Sequence, residues 1–294
     1  MTILDAVGKT PLIPLFEGCS GGRIFAKAEF LNPSGSVKDR AAKAMLLDGI
    51  QTGRLTKDKT ILDATSGNTG VALAMFGAVL GYRVVLCLPA NANKERKRVL
   101  NAYHAEIIAT NPLESSDGAL LKARQLAVEN PNIYFYTDQY NNPENWKAHY
   151  NGTAPEIWEQ TEHKITHFVA GMGTSGTFIG TARRLKELNP AIKTIPIQPA
   201  SPLHGLEGMR HTETTIKSGF YDTSLFDGQI DITTENARTM TRELAKKQGL
   251  FVGISSGANV LAAVKLAETL TSDDVVVTIL CDSGFRYLSD ELWD

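Results

Sequence analysis

Lys38 could act as a nucleophile, because the sequence around it predicts the start of a helix. It lies in residues 32–40, Asn-Pro-Ser-Gly-Ser-Val-Lys-Asp-Arg, where Ser36 and Asp39 have the spacing of a capping box. In the first turn of that helix, the positive end of the helix dipole favours a neutral amine, which is both a nucleophile and a base. Most single lysines are solvated surface charges, so this interpretation depends on the other motifs.

A glycine-rich turn, residues 171–177, has the features of a phosphate site. It reads Gly-Met-Gly-Thr-Ser-Gly-Thr, follows an apolar strand and precedes a helix. Its glycines let the backbone approach an anion, its hydroxyls add donors, and the helix N-terminus adds positive potential. It lacks the Gly-Lys-Ser/Thr ending of a Walker A loop, and no acidic residue follows at the distance typical of a dinucleotide fingerprint. A nucleotide-binding turn stays open as an alternative.

Further turns of the same design occur elsewhere in the chain. Residues 65–70, Thr-Ser-Gly-Asn-Thr-Gly, would suit a carboxylate, although Thr65 and Ser66 could be only helix caps. Residues 253–259 and 281–289 also follow predicted strands or extended runs. Because such turns gather at the carboxyl ends of parallel strands, we expect them to converge. A reactive lysine, a phosphate site and a carboxylate site describe a phosphorylated carbonyl cofactor that receives an amino acid.

The elements that must position these turns alternate between short apolar runs and amphipathic stretches. Strands are predicted at residues 61–64, 83–88, 106–109, 133–136, 166–170, 194–198 and 275–280. Helices are predicted at residues 40–50, 71–80, 94–102, 117–128, 146–161, 178–188, 236–247 and 259–270. This rhythm predicts an α/β fold with largely parallel sheets covered by helices. The irregular stretch 201–230 is predicted to be a mobile loop over the site.

Composition excludes several classes of function. The chain has 294 residues, is 43% hydrophobic and carries a formal net charge of -2, so no basic excess predicts nucleic acid or a membrane as a partner. We see no secretory signal, and no apolar run approaches the roughly 20 residues of a membrane span, so we expect a cytoplasmic protein. Cys19, Cys87 and Cys281 are too widely spaced for a zinc knuckle or a disulfide framework, and the histidines show no metal-ligand spacing. We therefore expect no metal.

Taken in order, these motifs resemble the cysteine synthase family of pyridoxal-5'-phosphate enzymes. The opening residues 7–12, Val-Gly-Lys-Thr-Pro-Leu, also resemble the start of that family, and the loop 202–211 looks more like the cysteine synthase B group. The resemblance implies fold type II, with two α/β lobes whose largely parallel, twisted sheets are covered by helices. Residues 1–38 and 146–294 would form the large cofactor-anchoring domain, and residues 39–145 a smaller mobile domain. It also implies a homodimer.

The resemblance assigns roles to individual residues. Lys38 would be the catalytic residue and would carry pyridoxal 5'-phosphate as a Schiff base, and Asn68 would bind the phenolic oxygen of the cofactor. The cofactor phosphate would be held by Gly173, Thr174, Ser175, Gly176 and Thr177. Ser255 would face the pyridine nitrogen, with Ser283 as a second candidate. The substrate would be bound by Thr65, Ser66, Thr69, Gln139, Met209 and Arg210.

The implied reaction replaces the β-substituent of an O-activated L-serine with a sulfur nucleophile to give L-cysteine. Family members that use O-phosphoserine bind its phosphate with an arginine of this loop. Here the matching position holds Glu207, and Arg210 lies one turn away. A surface role is the simpler interpretation of Arg210. O-acetylserine and O-phosphoserine both stay open as substrates. Sulfide, thiosulfate and a protein thiocarboxylate stay open as sulfur donors.

Several rival interpretations remain. A cystathionine β-synthase-like enzyme or a serine/threonine dehydratase would use the same cofactor. A catalytically silent scaffold and a nucleotide-binding regulator are rivals from other classes. Away from the motifs, the charged residues 94–98 are predicted to form a solvated helix face, and Cys281 a buried structural thiol.

Overall fold

Two β-sheets, each covered by helices on both faces, form the framework of this computed structural model, which describes residues 2–16, 21–65 and 67–293. In spatial order, the larger sheet contains β1 (Leu12–Leu15), β2 (Arg23–Ala28), β10 (Val275–Leu280), β7 (His167–Gly171), β8 (Lys193–Pro199) and β9 (Ile230–Ile232). The smaller sheet contains β5 (Glu106–Thr110), β4 (Val84–Pro89), β3 (Thr60–Ala64) and β6 (Tyr134–Tyr136). Strands β1 and β2 pair antiparallel, and the other neighbours pair in parallel.

Helices cover both sheets and leave the carboxyl ends of the strands open. The α-helices are α1 (Lys38–Gln51), α2 (Asn68–Leu80), α3 (Lys94–Ala102), α4 (Ser115–Glu129), α5 (Glu144–Ala148), α6 (Ala154–Gln160), α7 (Gly176–Leu188), α8 (Thr234–Gln248) and α9 (Ile254–Ala267). A π-helical turn, His149–Thr153, joins α5 to α6. Short 3-10 turns occur at Ile3–Ala6, Glu29–Leu31, Pro112–Glu114, Thr223–Leu225, Gly284–Tyr287 and Glu291–Trp293.

Each sheet has an apolar core on both faces. Helices α8 and α9 pack on one face of the larger sheet, and α6 and α7 pack on the other. In the smaller sheet, α1 and α2 cover one face and α4 covers the other. All six residues of β10 are buried, as expected for a parallel strand that is covered on both sides.

The predicted α/β class is confirmed, and every predicted strand and helix has a counterpart. Three strands were not predicted: β1, β2 and β9. The helix predicted at 146–161 is interrupted by the π-helical turn. The proposed division into residues 1–38 with 146–294 and residues 39–145 stays a prediction.

The capping box predicted at the start of α1 is wrong, although the helix does begin at Lys38. The carboxylate of Asp39 accepts hydrogen bonds from the backbone N–H of Ser34, at 2.6 Å, and from its hydroxyl, instead of reaching the backbone of Ser36. The physical reason is that Ser36 forms an antiparallel bridge with Asp282. The residues on either side of Ser36 are therefore hydrogen-bonded to the segment that follows β10, through Val37 N–H to Cys281 and Ser283 N–H to Gly35.

No helix in the described ranges is long and apolar enough to cross a membrane. The helices α4 and α8, with 15 residues each, fall short of the roughly 20 residues that a bilayer requires.

A buried ionic cluster joins the first strands to helices α1 and α6. The guanidinium of Arg40 donates to both carboxylate oxygens of Glu29, at 2.7 and 2.8 Å, and to both of Glu156, at 2.7 Å each. The ammonium of Lys27 lies 2.7 Å from Glu156, and the hydroxyl of Thr10 donates to Glu29 at 2.7 Å. Because Arg40 follows Lys38 by two residues, this cluster also fixes the start of α1.

The charged groups of this cluster, together with their burial, shift one another's pKa values. Burial alone would raise the pKa of Glu156, but the hydrogen bonds and charge of Arg40, followed by those of Lys27, lower it from 4.5 to about 2. Burial lowers the pKa of Lys27 in spite of Glu156 and Glu29. Most of the stabilisation of the Glu156 carboxylate therefore comes from Arg40.

We expect Glu156→Gln to lower the free energy of unfolding near pH 7 by on the order of 3 kcal/mol. Because the folded-state pKa of Glu156 is depressed, its contribution is complete above pH 4.5 and is lost as the pH falls through about 2. Urea titrations at several pH values should show that the difference in unfolding free energy between the wild type and the variant disappears over that range. Glu159→Gln, at a mostly exposed position on the same helix, is the control. A gap that does not depend on pH would contradict this assignment.

Candidate active site

A cavity lies where the carboxyl ends of strands from both sheets meet the first turns of α1, α2, α7 and α9. Most of the predicted site residues line it: Lys38, Thr65, Asn68, Thr69, Gln139, Gly173, Thr174, Ser175, Gly176, Thr177, Met209, Arg210 and Ser255. Ser283 does not line it, because its hydroxyl accepts from the backbone N–H of Phe285 and caps the 3-10 turn Gly284–Tyr287. The predictions for Ser66 and Cys19 fall outside the described residues.

Lys38 stands on the cavity wall because the start of α1 is bound to the end of β10. The N–H of Val37 donates to the carbonyl oxygen of Cys281 at 2.8 Å, next to the bridge between Ser36 and Asp282. The N–H of Lys38 donates to the hydroxyl of Ser36 at 3.3 Å. The backbone of Lys38 is thus held from β10, and its flexible side chain reaches into the cavity.

The glycine-rich turn approaches the cavity with its backbone. Ser175 has a positive φ of 69° and immediately precedes α7. A Cβ atom at Gly173 would lie 2.2 Å from the carbonyl oxygen of Gly208, and one at Gly176 would lie 2.1 Å from Oδ1 of Asn145. Only glycine fits at these two positions. The turn therefore brings the unpaired N–H groups at the start of α7 to the cavity, as an anion requires.

Asn68 and Asp282 form a hydrogen-bonded polar pair beside the cavity. Nδ2 of Asn68 donates to Oδ2 of Asp282 at 2.6 Å, and the hydroxyl of Tyr287 donates to the same oxygen at 2.7 Å. Oδ1 of Asn68 and Oδ1 of Asp282 are buried and have no hydrogen-bond partner among the described residues. Such atoms are costly unless a ligand binds them, so this part of the wall is suited to a polar ligand.

The turn at the start of α2 is tied to Gln139. The hydroxyl of Thr69 donates to Oε1 of Gln139 at 2.9 Å, and Nε2 of Gln139 donates to the carbonyl oxygen of Ala64 at 2.7 Å. The hydroxyl oxygen of Thr65 accepts from the N–H groups of Gly67 and Gly70, at 3.1 and 3.2 Å. Thr65 thus has the local turn-forming contacts that the sequence left open, and it lines the cavity as well.

Cys281 lines the same cavity at the end of β10. Nδ2 of Asn259 donates to its sulfur at 3.3 Å. Burial raises the pKa of the Cys281 thiol to about 11, so it stays protonated at neutral pH. It is therefore a poor nucleophile in its own right.

The prediction that residues 94–98 form a solvated helix face is wrong for Arg96. This side chain is only 6% exposed, lines the cavity and forms an ion pair with Glu207. Its guanidinium also lies 5.4 Å from the ring centroid of Tyr287. Arg96 and Leu100 are the buried residues of α3 and lie one turn apart, so helical periodicity was the signal that could have identified it.

Arg210 is likewise buried, so the interpretation as a surface arginine is wrong. Its guanidinium donates to the hydroxyl of Tyr140 at 2.6 Å and to that of Ser116 at 3.0 Å, and it forms an ion pair with Asp117. Arg210 and Glu207 both belong to the irregular stretch 201–229, whereas their ionic partners lie on α4 and α3. Two ion pairs therefore connect this stretch to the helices of the smaller sheet across the mouth of the cavity.

Comparison with known proteins places this site in a family. A family model described as pyridoxal-phosphate dependent enzyme matches residues 3–282. A cysteine synthase from Aquifex aeolicus is 49% identical, over 99% of this chain and 92% of its own length. Cysteine synthase B from Escherichia coli is 41% identical, over 98% of this chain and 94% of its own. This chain belongs to the cysteine synthase family of pyridoxal-phosphate dependent enzymes.

A solved structure supports the same family assignment. An O-acetylserine dependent cystathionine β-synthase from Helicobacter pylori superposes with a TM-score of 0.94 at 37% identity, covering 100% of this chain and 99% of that one. The predictions of fold type II, of an enzyme and of pyridoxal phosphate as its cofactor are confirmed.

The cavity fits the cofactor of this family. A lysine amine, a helix N-terminus preceded by a turn at which only glycine fits, and an unpartnered amide oxygen on Asn68 lie around one space. These groups match the carbonyl, the phosphate and the polar ring substituents of pyridoxal phosphate.

We expect Arg96→Gln to raise KM for the amino acid substrate about tenfold, which corresponds to roughly 1.4 kcal/mol. The loss of Arg96 would leave the Glu207 carboxylate without its counter-charge at the mouth, where it would repel the substrate carboxylate. Steady-state kinetics of the variant would measure this, with Arg98→Gln, at an exposed position of the same helix, as the control. An unchanged KM, or an equal effect in the control, would refute this role.

Proposed function

We propose that this enzyme replaces the β-substituent of an O-activated L-serine with a sulfur nucleophile and forms L-cysteine. The observation that carries the proposal is that Lys38, the turn 173–177 and the turn at the start of α2 all line one cavity. Relatives named cysteine synthase, similar over nearly their whole length, support it.

Four parts of the chain would hold the cofactor. Lys38 would bind its carbonyl carbon, the turn 173–177 its phosphate, Asn68 its phenolic oxygen, and Ser255 its ring nitrogen. When bound, pyridoxal phosphate withdraws electrons from the α-carbon of the amino acid, which acidifies the α-proton and allows the β-substituent to leave.

Proton transfer is the task of Lys38. Its amine would remove the proton from the α-carbon of the substrate and return it after sulfur has added to the β-carbon. This requires a mobile side chain on a rigid backbone. The bonds from Val37 to Cys281 and from Arg40 to Glu29 supply that rigidity on both sides of Lys38.

The carboxylate of the substrate would bind at the start of α2. There, Gln139 keeps a second Nε2–H donor, the hydroxyl of Thr69 would turn from Oε1 of Gln139 to the carboxylate, and the helix N-terminus offers positive potential. Thr65 and Ser66 would complete this site, and Met209 and Arg210, which line the same cavity, would also contact the substrate.

We expect Lys38→Ala to abolish turnover and the visible absorbance of the bound cofactor, because no other amine would replace the covalent link. Absorption spectra and product assays of the purified variant would measure both effects. Lys43→Ala, also on α1, is the control, since its ammonium donates to the carbonyl oxygen of Leu4 and does not line the cavity. A yellow, active Lys38→Ala enzyme would disprove the proposal.

We propose O-acetylserine as the preferred substrate. The guanidinium groups of Arg96 and Arg210 each have a carboxylate partner, Glu207 and Asp117. A phosphate dianion would have to break one of these ion pairs, which a neutral acetyl group does not.

We accordingly expect kcat/KM to be at least about tenfold higher for O-acetylserine than for O-phosphoserine, a difference of roughly 1.4 kcal/mol in transition-state binding. Arg210→Ala should change the two values by similar factors. A preference for O-phosphoserine that Arg210→Ala abolishes would instead show that Arg210 binds the phosphate of the substrate.

A second candidate reaction has a specific observation in its favour. The Helicobacter pylori structure is named an O-acetylserine dependent cystathionine β-synthase, so homocysteine is an alternative sulfur nucleophile. Product analysis with O-acetylserine and equal sulfide and homocysteine would distinguish cysteine from cystathionine. The comparison can be extended to thiosulfate and a protein thiocarboxylate as donors.

Other properties that the family resemblance implies are also proposals. We propose a cytoplasmic homodimer in which the smaller domain, residues 39–145, moves relative to residues 1–38 and 146–294 during turnover. Analytical ultracentrifugation would test the dimer.

A further inference from the structure

Two buried polar side chains lie directly behind the phosphate turn. Asn145 belongs to α5, and His149 begins the π-helical turn that follows it. The two residues are one helical turn apart, are 2% and 1% exposed, and do not line the cavity. Single π-helical turns inserted between α-helical segments are frequent at functional sites.

Each of these side chains contacts one hydroxyl of the turn 173–177. Nδ2 of Asn145 lies 3.0 Å from Oγ1 of Thr174 and also donates to the carbonyl oxygen of Gln139 at 2.6 Å. Nε2 of His149 lies 3.3 Å from Oγ1 of Thr177. Thr174 and Thr177 themselves line the cavity, so the hydroxyls form a layer between it and the buried pair.

Close packing holds helix α7, which follows the phosphate turn, against α5 and the π-helical turn. A Cβ atom at Gly176 would lie 2.1 Å from Oδ1 of Asn145, and one at Gly180 would lie 2.0 Å from the carbonyl oxygen of Trp146 and 3.0 Å from Cβ of His149. Helix α7 can therefore approach α5 and the π-helical turn this closely only because it has glycine at both positions. The positions of Asn145 and His149 relative to the phosphate turn are fixed as a result.

The protonation of His149 determines which groups donate and which accept in its contacts with Thr153 and Thr177. Burial, with the charges of Arg40 and Lys38, lowers the pKa of His149 well below its usual range, so the ring is neutral and has one donor and one acceptor. Nδ1 of the ring lies 2.9 Å from Oγ1 of Thr153. If the Thr177 hydroxyl donates its hydrogen to an anion, its oxygen must accept from Nε2–H of His149, and Nδ1 must accept from Thr153.

We propose that His149 and Asn145 are positioning residues for the cofactor phosphate: each donates to a threonine hydroxyl from behind, so that the hydroxyl hydrogen points into the cavity. For His149 this requires the Nε2–H tautomer. The chain then runs from Thr153 through His149 and Thr177 to the phosphate, and in parallel from Asn145 through Thr174. This inference rests on the proposed function, since it takes the anion at the turn to be the phosphate of pyridoxal phosphate.

The test compares the affinity of the apoenzyme for pyridoxal 5'-phosphate with that for pyridoxal, which lacks the phosphate. We expect His149→Ala to weaken the binding of pyridoxal 5'-phosphate about tenfold and to leave that of pyridoxal unchanged. His149→Gln, which keeps an amide donor, should recover most of the loss. Equal losses for the two ligands, or no loss, would overturn the proposal.

The tautomer offers an independent readout that does not depend on turnover. In the holoenzyme labelled with 15N-histidine, which carries pyridoxal 5'-phosphate, the resonances that disappear in His149→Gln belong to His149, and we expect them to show Nε2 protonated and Nδ1 bare. A bare Nε2 would overturn the proposal even if His149→Ala did not fold. If the wild-type apoenzyme bound no pyridoxal 5'-phosphate at all, the proposed function would fail, whereas normal wild-type binding with an unaffected His149→Ala would refute only this inference.

Discussion

The attachment of helix α1 to strand β10 is the constraint on which the site depends. The N–H of Val37 donates to the carbonyl oxygen of Cys281, and the carbonyl oxygen of Gly35 accepts from the N–H of Ser283. Two residues beyond Lys38, the guanidinium of Arg40 is buried against two carboxylates. Lys38 therefore has almost no backbone freedom, although its side chain remains flexible. A lysine that must bind a cofactor and also move protons needs this combination, because both tasks are sensitive to small displacements.

Positive potential accumulates where the helices begin. The N-termini of α1, α2, α7 and α9 all reach one cavity, to which Arg96 and Arg210 add formal charge. Carboxylates beside the cavity balance part of this charge: Glu207 pairs with Arg96, and Asp117 pairs with Arg210. The arrangement leaves the glycine-rich turn and the start of α2, which use backbone N–H groups and hydroxyls, as the places where anionic groups of a cofactor and a substrate can bind.

The sequence was informative where chemistry and backbone geometry coincide. The glycine-rich turn, the lysine at a helix start and the continuous apolar strand β10 each have local signals, and the parallel topology brings them together. Strand β2 was missed because Lys27, fully buried within it, is polar in sequence and is neutralised only by residues distant along the chain, such as Glu156. Arg96 was missed because it is the one inward-facing residue in a run of charged helical residues. The burial of Arg210 was missed because it depends on a contact with α4 that no local sequence pattern shows.

The most direct test of the covalent link at Lys38 is reduction of the purified holoenzyme with borohydride, followed by digestion and mass spectrometry. Reduction converts an imine between the cofactor and a lysine into a stable amine, so the modified residue can be identified by sequencing the peptide. We predict that the reduced cofactor is found on the peptide that contains Lys38. Its recovery on a different lysine, or on none while the protein is yellow, would contradict the account.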